Sequence, residues 1–149
     1  MCPLPRPHPW RRLRDQYPHI NVRFTDLAAC GKRGRLTDDG IEIEQTSTQT
    51  ERREALVHEL QHYDRGPVPD HPHFGPLEER IVEQLTAEHL IGLDDLIDAL
   101  LWSGGQITHD VAEALWVKLE TLHTRVRTLT EKERAYITRE LARRQPWNN

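Results

Sequence analysis

Apolar side chains recur at helical spacing from residue 54 to residue 141, and this pattern restricts the folds open to the chain. Prolines at positions 67, 69, 72 and 76 interrupt it and require an irregular loop, because proline has no amide hydrogen and a fixed φ. The pattern predicts two long helices, one from Thr48 or Thr50 to about Gly66 and one from Leu77 to about Ile91. Shorter helices are predicted over residues 94–102, 109–116, 119–129 and 131–144.

The segment before the first long helix carries the signals of short strands. Residues 20–24 and 40–44 alternate apolar and polar side chains, as half-buried strands do. Residues 34–37 can pair with the second of these strands through a turn at Asp38, Asp39 and Gly40. A short helix is predicted over residues 10–16. Together with the later helices, these segments predict an α+β protein with a small antiparallel β-sheet.

Composition limits the size of the core and the compartment. With 149 residues, of which 36% are apolar, the chain is expected to build one modest core. Cys2 and Cys30 are too few for a disulfide framework. No apolar run is long enough to span a bilayer, and the first residues lack the apolar stretch of a signal peptide. We therefore expect a cytoplasmic protein without membrane association, with residues 1–9, which hold four prolines, as a disordered leader.

The most informative residues lie in the first long helix, where His58, Glu59 and His62 form the sequence HExxH. Positions four apart lie one above the other on a helix, so both imidazoles can bind one tetrahedral ion. The intervening Glu59 stays near the ion without binding it, which is the place of the general base in metallopeptidases. The spacing therefore predicts a zinc site with Glu59 as its catalytic residue.

A catalytic zinc site usually takes a third protein ligand and leaves one position open. Glu79 and Glu83 lie one turn apart in the second long helix. We expect Glu79 to bind the ion and Glu83 to accept an N–H from one of the histidines and orient it. His71 and His73, in the proline-rich loop, are the alternative third ligands. The metzincin motif HExxHxxGxxH is excluded, because its glycine and its third histidine are missing.

These residues give the chain a resemblance to the ImmA/IrrE family of zinc metallopeptidases. The resemblance covers about residues 10–144 and rests on EALVHELQH at residues 54–62 and ERIVEQLTAEHLI at residues 79–91. A helical tail with a Leu-x-x-Arg-Val pattern at residues 122–126 is also similar to the family. The second long helix departs from the family pattern at Val82 and Leu85, where alanine and phenylalanine are usual.

The resemblance implies an activity and a substrate. It implies a gluzincin-like site in which His58, His62 and Glu79 bind zinc, or alternatively manganese, and Glu59 is the general base. Members of the family act in the cytoplasm, and several cleave a helix-turn-helix repressor of phage, mobile-element or stress-response genes. We therefore expect a zinc-dependent endopeptidase that hydrolyses a peptide bond in such a repressor. Its core is expected in residues 10–106, with residues 107–149 as a C-terminal helical lobe packed on that core.

The substrate is expected to bind in an extended conformation. Residues 41–45 are a predicted edge strand directly before the active helix, and an edge strand can accept a further strand from a partner. A tetrahedral oxyanion also needs a donor opposite the metal. Four side chains that the sequence does not rank are candidates for this donor: Tyr63, His71, His73 and His89.

An alternative function lies in the C-terminal helices. Residues 109–126 have the cadence of a helix-turn-helix, with Ala112 and Val117 at its core positions and a basic stretch after it. The fit is partial, because Trp116 stands where the turn commonly has glycine and Arg125 where an apolar residue is expected. On this alternative the protein binds DNA or another protein through these helices, and its metal site is structural or sensory. Apolar stripes more often pack in a core, so nucleic-acid binding is the less favoured interpretation.

Overall fold

A computed structural model describes residues 8–145, and the elements it contains confirm the α+β class. Contacts group residues 8–90 and residues 91–145 into two compact units. The first unit holds α1 (Pro9–Gln16), β1 (Val22–Thr25), β2 (Gly34–Thr37), β3 (Gly40–Glu44), α2 (Gln49–Arg65) and α3 (Phe74–Leu90). The second holds α4 (Leu93–Ser103), α5 (His109–Ala114), α6 (Leu119–Arg127) and α7 (Glu131–Arg144). Every helix and strand expected from the sequence is therefore present, with shifts of a few residues at the ends.

The expected domain limits fall partly outside the described residues. Of the leader at residues 1–9, the structure describes His8 and Pro9, and Pro9 is the first residue of α1. The two units divide at residues 90 and 91. A functional boundary at residues 106 and 107, and the packing of a C-terminal lobe on the core, stay predictions. No helix in residues 8–145 combines the length and the apolar character needed to cross a membrane.

The sheet has the strand order β1–β3–β2, so β3 lies at its centre. β2 and β3 form the expected antiparallel hairpin, with Leu36 opposite Ile41. β1 instead runs parallel to β3, with Val22 opposite Ile41. The prediction of a purely antiparallel sheet is therefore wrong in this pairing. Alternation along residues 20–24 marks a strand but carries no information on the direction of its partner, which the connection through residues 26–33 decides.

A close backbone contact at Gly40 fixes the parallel pair. Gly40 has a φ of +133°, and a Cβ there would lie 2.2 Å from the carbonyl oxygen of Asn21. The N–H of Ile41 donates to the same oxygen at 2.8 Å. Only glycine satisfies both the backbone conformation and the close approach. The glycine of the hairpin turn thus also sets the register of β1 on β3.

α2 packs against the sheet in an orientation that its cap and its apolar residues fix. The Thr48 hydroxyl accepts the N–H of Glu51 while the Glu51 carboxylate accepts the N–H of Thr48, forming a capping box. Tyr63, near the C-terminal end of this helix, is 43% exposed. The core of this unit combines buried residues of the sheet, of α2 and of the segment after α1: Tyr17, Ile41, Ile43, Ala55, Leu56 and Leu60.

Glu44 is a buried carboxylate that holds the loop between β1 and β2. Its Oε1 accepts the N–H groups of Leu27 and Ala28 at 2.9 and 3.1 Å. Its Oε2 accepts the N–H of Thr46 at 2.7 Å and also the Thr46 hydroxyl. These hydrogen bonds, led by the one from the Thr46 hydroxyl, lower the pKa of Glu44 to about 2. The strand pattern of residues 40–44 does not reveal this role, because a solvated glutamate would fit it equally well.

Replacing Glu44 by glutamine should lower Tm by several degrees at pH 7 and make little difference near pH 2. The pKa of folded Glu44 lies below that of an unfolded glutamate, so its ionised form stabilises the fold above about pH 4.5, and this contribution is lost as the pH falls toward 2. Glutamine cannot replace it, because one end of its amide is a donor facing donors. Thermal unfolding from pH 2 to 7, with the exposed Glu113→Gln as control, measures this; parallel curves for wild type and Glu44→Gln would contradict it.

α3 begins at Phe74, three residues before the start predicted from the sequence. The ring Nδ1 of His71 accepts the N–H groups of His73 and Phe74 at 3.0 and 3.2 Å, and so caps the helix. Pro76 falls in the first turn, where a missing amide hydrogen breaks no helical hydrogen bond. The prediction counted Pro76 as part of the loop, whereas the histidine cap lets the helix start before it.

In the unit of residues 91–145, α4 packs with α5 and α7, and α5 packs with α6. Arg125 is only 3% exposed in this unit. Its Nε donates to the carbonyl of Ile91 at 2.8 Å, and its Nη2 donates to Glu133 at 3.1 Å. Arg125 therefore fills a position where an apolar residue is expected, because these hydrogen bonds satisfy part of its guanidinium.

α5 and α6 are joined by a short turn within residues 109–126, and a helix-turn-helix motif at these residues stays a prediction. Ala112 and Val117 are buried, as expected for its core positions. Trp116, in the turn, has a φ of +60°, the left-handed conformation that favours glycine. Trp116 thus adopts a backbone conformation usual for glycine, and its side chain is 43% exposed.

Candidate metal centre

Two imidazoles of α2 lie together, one turn apart. The ring centroids of His58 and His62 are 4.9 Å apart, and the rings are inclined at 70°. His62 is buried, whereas His58 is partly exposed. The core side chains on the neighbouring side of α2 fix its rotation, so the two histidines stand beside α3 with one of them open to solvent.

Glu79 of α3 completes the group. Its Oε2 lies 3.2 Å from Nε2 of His62 and 3.5 Å from Nε2 of His58. The potential ligand atoms of the three residues all lie within 4.8 Å of one another. A tetrahedral zinc ion with bonds of about 2.0–2.1 Å has ligand atoms roughly 3.3–3.4 Å apart, so the two measured distances to Glu79 fit such an ion. The three residues could therefore hold a metal ion as the sequence predicted.

Glu59 is buried on the same helix, next to the edge of the sheet. A Cβ built on Gly34 of β2 would lie 3.4 Å from Oε1 of Glu59, so this carboxylate lies beside the backbone of β2. Burial, with a smaller effect of the charge of Glu79, raises the pKa of Glu59 to about 7, and Lys32 acts in the opposite direction. A carboxyl group whose pKa lies near the working pH is suited to take and return a proton.

A second carboxylate of α3 belongs to the surroundings of the site, and sequence reasoning missed it. Glu78 is held by Arg65 of α2 through two hydrogen bonds, of 2.5 and 3.0 Å. Hydrogen bonding to Arg65 lowers the pKa of Glu78, and His62 has a smaller electrostatic effect in the same direction. Arg65 lies three residues after His62, on the same side of α2, and this spacing was the available signal.

The sequence also offered Glu83, His71 and His73 as candidates for binding the metal or orienting its ligands. Glu83 lies one turn beyond Glu79 and is exposed to solvent. Its role in orienting a histidine stays a prediction. His71 uses Nδ1 to cap α3, and His73 is exposed. Among the residues that the structure describes, the group able to hold an ion contains Glu79 and neither of these loop histidines.

Two candidates for the oxyanion donor are already engaged. The hydroxyl of Tyr63 lies 2.9 Å from Nε2 of His19. Tyr63 can keep its hydrogen for a substrate only if His19 is the donor in this pair. His71 accepts the two backbone N–H groups at the start of α3. Burial lowers the pKa of His89, with a smaller effect of Arg12, which favours its neutral form.

The structure corrects the expected substrate edge. β3 has β1 on one side and β2 on the other, so residues 41–45 are not an edge strand and cannot accept a substrate strand. The open edge beside Glu59 is β2. The N–H of Glu44 donates to the carbonyl of Arg33 at 2.8 Å, and hydrogen-bonded pairs alternate with open ones in an antiparallel ladder. The N–H and C=O groups of Gly34 and Leu36 therefore point away from β3.

A comparison with protein families identifies a match over most of these elements. A family model described as an IrrE N-terminal-like domain, Peptidase_M78, matches residues 15–127. No curated protein and no solved structure gives a significant match to the chain. The family match covers more than half of the chain, including the sheet, α2 and α3, and it supports a metallopeptidase-type function. The matched region contains the group formed by His58, His62 and Glu79. The chain therefore belongs to the ImmA/IrrE family.

Proposed function

We propose that the protein is a zinc-dependent metallo-endopeptidase. The observation that carries the proposal is the convergence of His58, His62 and Glu79, with the buried Glu59 beside an open strand edge. Membership in a peptidase family supports peptide-bond hydrolysis as the reaction. Two imidazoles and one carboxylate are a ligand set that suits zinc, and manganese is the alternative metal.

The chemistry divides between the ion and Glu59. When bound, the ion supplies Lewis-acid activation of a water molecule and of the substrate carbonyl. Glu59 takes a proton from the water on its carboxylate and passes it to the leaving amine nitrogen. His58 and His62 stay neutral throughout, because a protonated imidazole has no lone pair for a metal. The products are a new carboxylate and a protonated amine, which ends with both protons of the attacking water, and Glu59 is returned to its ionised form.

We place the substrate along the open edge of β2. The outward N–H and C=O groups of Gly34 and Leu36 offer an extended peptide the hydrogen bonds of a further strand. Gly34 lies against Glu59, so a peptide paired there has its backbone near the general base. This edge replaces residues 41–45, which were expected from the sequence to bind the extended substrate.

Leu36→Pro tests this edge without removing a ligand or the base. The N–H of Leu36 points away from β3, so proline removes a substrate hydrogen bond and spares the ladder within the sheet. We expect kcat/KM for a cleaved peptide to fall about tenfold or more, because a hydrogen bond is lost and the ring obstructs the edge. Leu36→Val, which keeps the N–H, is the control. Unchanged hydrolysis by Leu36→Pro, at unchanged zinc affinity, would exclude β2 as the substrate edge.

For the biological substrate we propose a helix-turn-helix repressor of phage, mobile-element or stress-response genes. The support is family membership together with the open edge of β2, to which an extended peptide could pair. The test is incubation of the zinc-loaded protein with a synthetic peptide library and with repressors encoded beside its gene, followed by mass spectrometry of the fragments. We expect an internal cut in a repressor that a chelator prevents. Intact peptides and intact repressors in the presence of zinc would contradict the proposal.

DNA binding by α5 and α6 is the second candidate function. It is favoured by the turn at Trp116 between α5 and α6, because a left-handed residue suits the glycine that often stands in the turn of a helix-turn-helix. Arg125 does not serve it, because this side chain is buried against Ile91 and Glu133. Gel retention of a nonspecific duplex across a salt series decides the matter, since binding through phosphates weakens steeply with salt.

A further inference from the structure

His62 has one ring nitrogen for which the structure shows no use. Its Nε2 lies 3.2 Å from Oε2 of Glu79, and an ionised carboxylate only accepts, so Nε2 is the donor in this pair. Its Nδ1 is buried, and among the described residues it has no hydrogen-bond partner. A buried ring nitrogen without a partner is costly, which points to a partner in another state of the site.

Metal binding changes what this nitrogen requires. When Nε2 gives its lone pair to a metal ion, the hydrogen of the neutral ring resides on Nδ1. Histidines that bind metals almost always donate this hydrogen to a carboxylate, a carbonyl or water. Nδ1 of His62 therefore changes from an acceptor without a donor into a donor that needs an acceptor.

Glu78 is the carboxylate placed to meet this need. It directly precedes Glu79, which contacts His62, and it is paired with Arg65, which follows His62 by three residues. Its side chain is 16% exposed, and it interacts electrostatically with His62. Glu83, the residue expected in this role from the sequence, is exposed on the next turn.

We propose that Glu78, held by Arg65, is the positioning residue that accepts the Nδ1 hydrogen of His62 when the site holds its metal. The proposal rests on the metal site of the proposed function. Arg65 holds the Glu78 carboxylate against α2, the helix that carries His62. Glu78 acts through His62 and touches neither substrate nor metal.

Zinc affinity tests this role independently of hydrolysis. We expect Glu78→Ala to raise the zinc Kd about 10–100-fold, as loss of an outer carboxylate partner does. Glu78→Gln should be affected less, because its amide oxygen can accept the same hydrogen. Competition with a chromophoric chelator at pH 7 gives these constants, and Glu88→Ala on the same helix is the control. Loss of the pair with Arg65 alone should lower Tm little, because Arg65 is exposed to solvent.

A spectroscopic measurement separates positioning from general damage. In the zinc-loaded wild type, the Nδ1 hydrogen of His62 should be visible by ¹⁵N-edited NMR and protected from exchange with water. In Glu78→Ala this signal should be lost, whereas in Glu78→Gln it should persist. Equal zinc affinity of Glu78→Ala and Glu88→Ala, or weakening by Glu83→Ala alone, would overturn the proposal. Failure of the wild type to bind zinc would instead contradict the proposed function.

Discussion

Replacing Glu59 by glutamine should abolish peptide hydrolysis and leave zinc in place. Glutamine has nearly the same shape but cannot take a proton, and loss of a general base slows such reactions about 10²–10⁴-fold. Glu59 is not one of the three converging residues, so the zinc Kd should stay within a few-fold of the wild-type value. Unchanged zinc binding together with lost hydrolysis distinguishes a general base from a metal ligand.

The measurement compares kcat/KM for one cleaved peptide with the zinc Kd of the same preparation. Glu113→Gln, an exposed change in α5, should match the wild type in both. Hydrolysis by Glu59→Gln at the wild-type rate would remove Glu59 from the reaction. Loss of zinc by this variant would show that the buried carboxylate supports the ligands and that its effect on rate cannot be assigned to proton transfer.

Local sequence patterns predicted the helices and strands, but they did not predict how strands that are distant in the sequence pair. The capping box at Thr48, the turn at Asp38 and Asp39 and the helical stripes are signals that neighbouring residues contain in full. The parallel course of β1 depends on the loop held by Glu44 and on the approach of Asn21 to Gly40. Neither contact produces a periodic pattern in the sequence, so the order of the strands and the open edge at β2 could be determined only from the structure.

In the candidate site too, contacts within one helix were predictable from the sequence and some contacts between helices were not. His58 and His62 are four residues apart on one helix, so helical geometry alone brings their rings together. Glu79 was predicted because a catalytic zinc site needs a third ligand and the next helix offers this carboxylate, and it does contact both histidines. Glu78 escaped notice because a charged residue on a helix usually faces solvent. Only the position of Arg65 on the neighbouring helix shows that this carboxylate is fixed beside His62.

Glu79→Ala should have the largest effect on metal binding. The variant removes a ligand atom and the negative charge that offsets the ion, so the zinc Kd should rise by more than the roughly 10–100-fold expected for an outer partner such as Glu78. The same argument gives a thermal readout. Zinc at 100 times its Kd stabilises the folded protein by about 2.7 kcal/mol. For a chain of this size that corresponds to a rise in Tm of about 5–10 °C.

Thermal unfolding with and without zinc therefore ranks three of the four glutamates of α3 without any substrate. Wild type and Glu88→Ala should show the full rise in Tm, Glu78→Ala a smaller one, and Glu79→Ala almost none at the same zinc concentration. A full rise in Glu79→Ala would mean that the third ligand lies elsewhere, and His71→Ala and His73→Ala would then be the variants that lose it. Because His71 also caps α3, its replacement would lower Tm without zinc as well, whereas loss of a pure ligand would not. The metal-free Tm thus separates a ligand from a residue that only holds the helix in place.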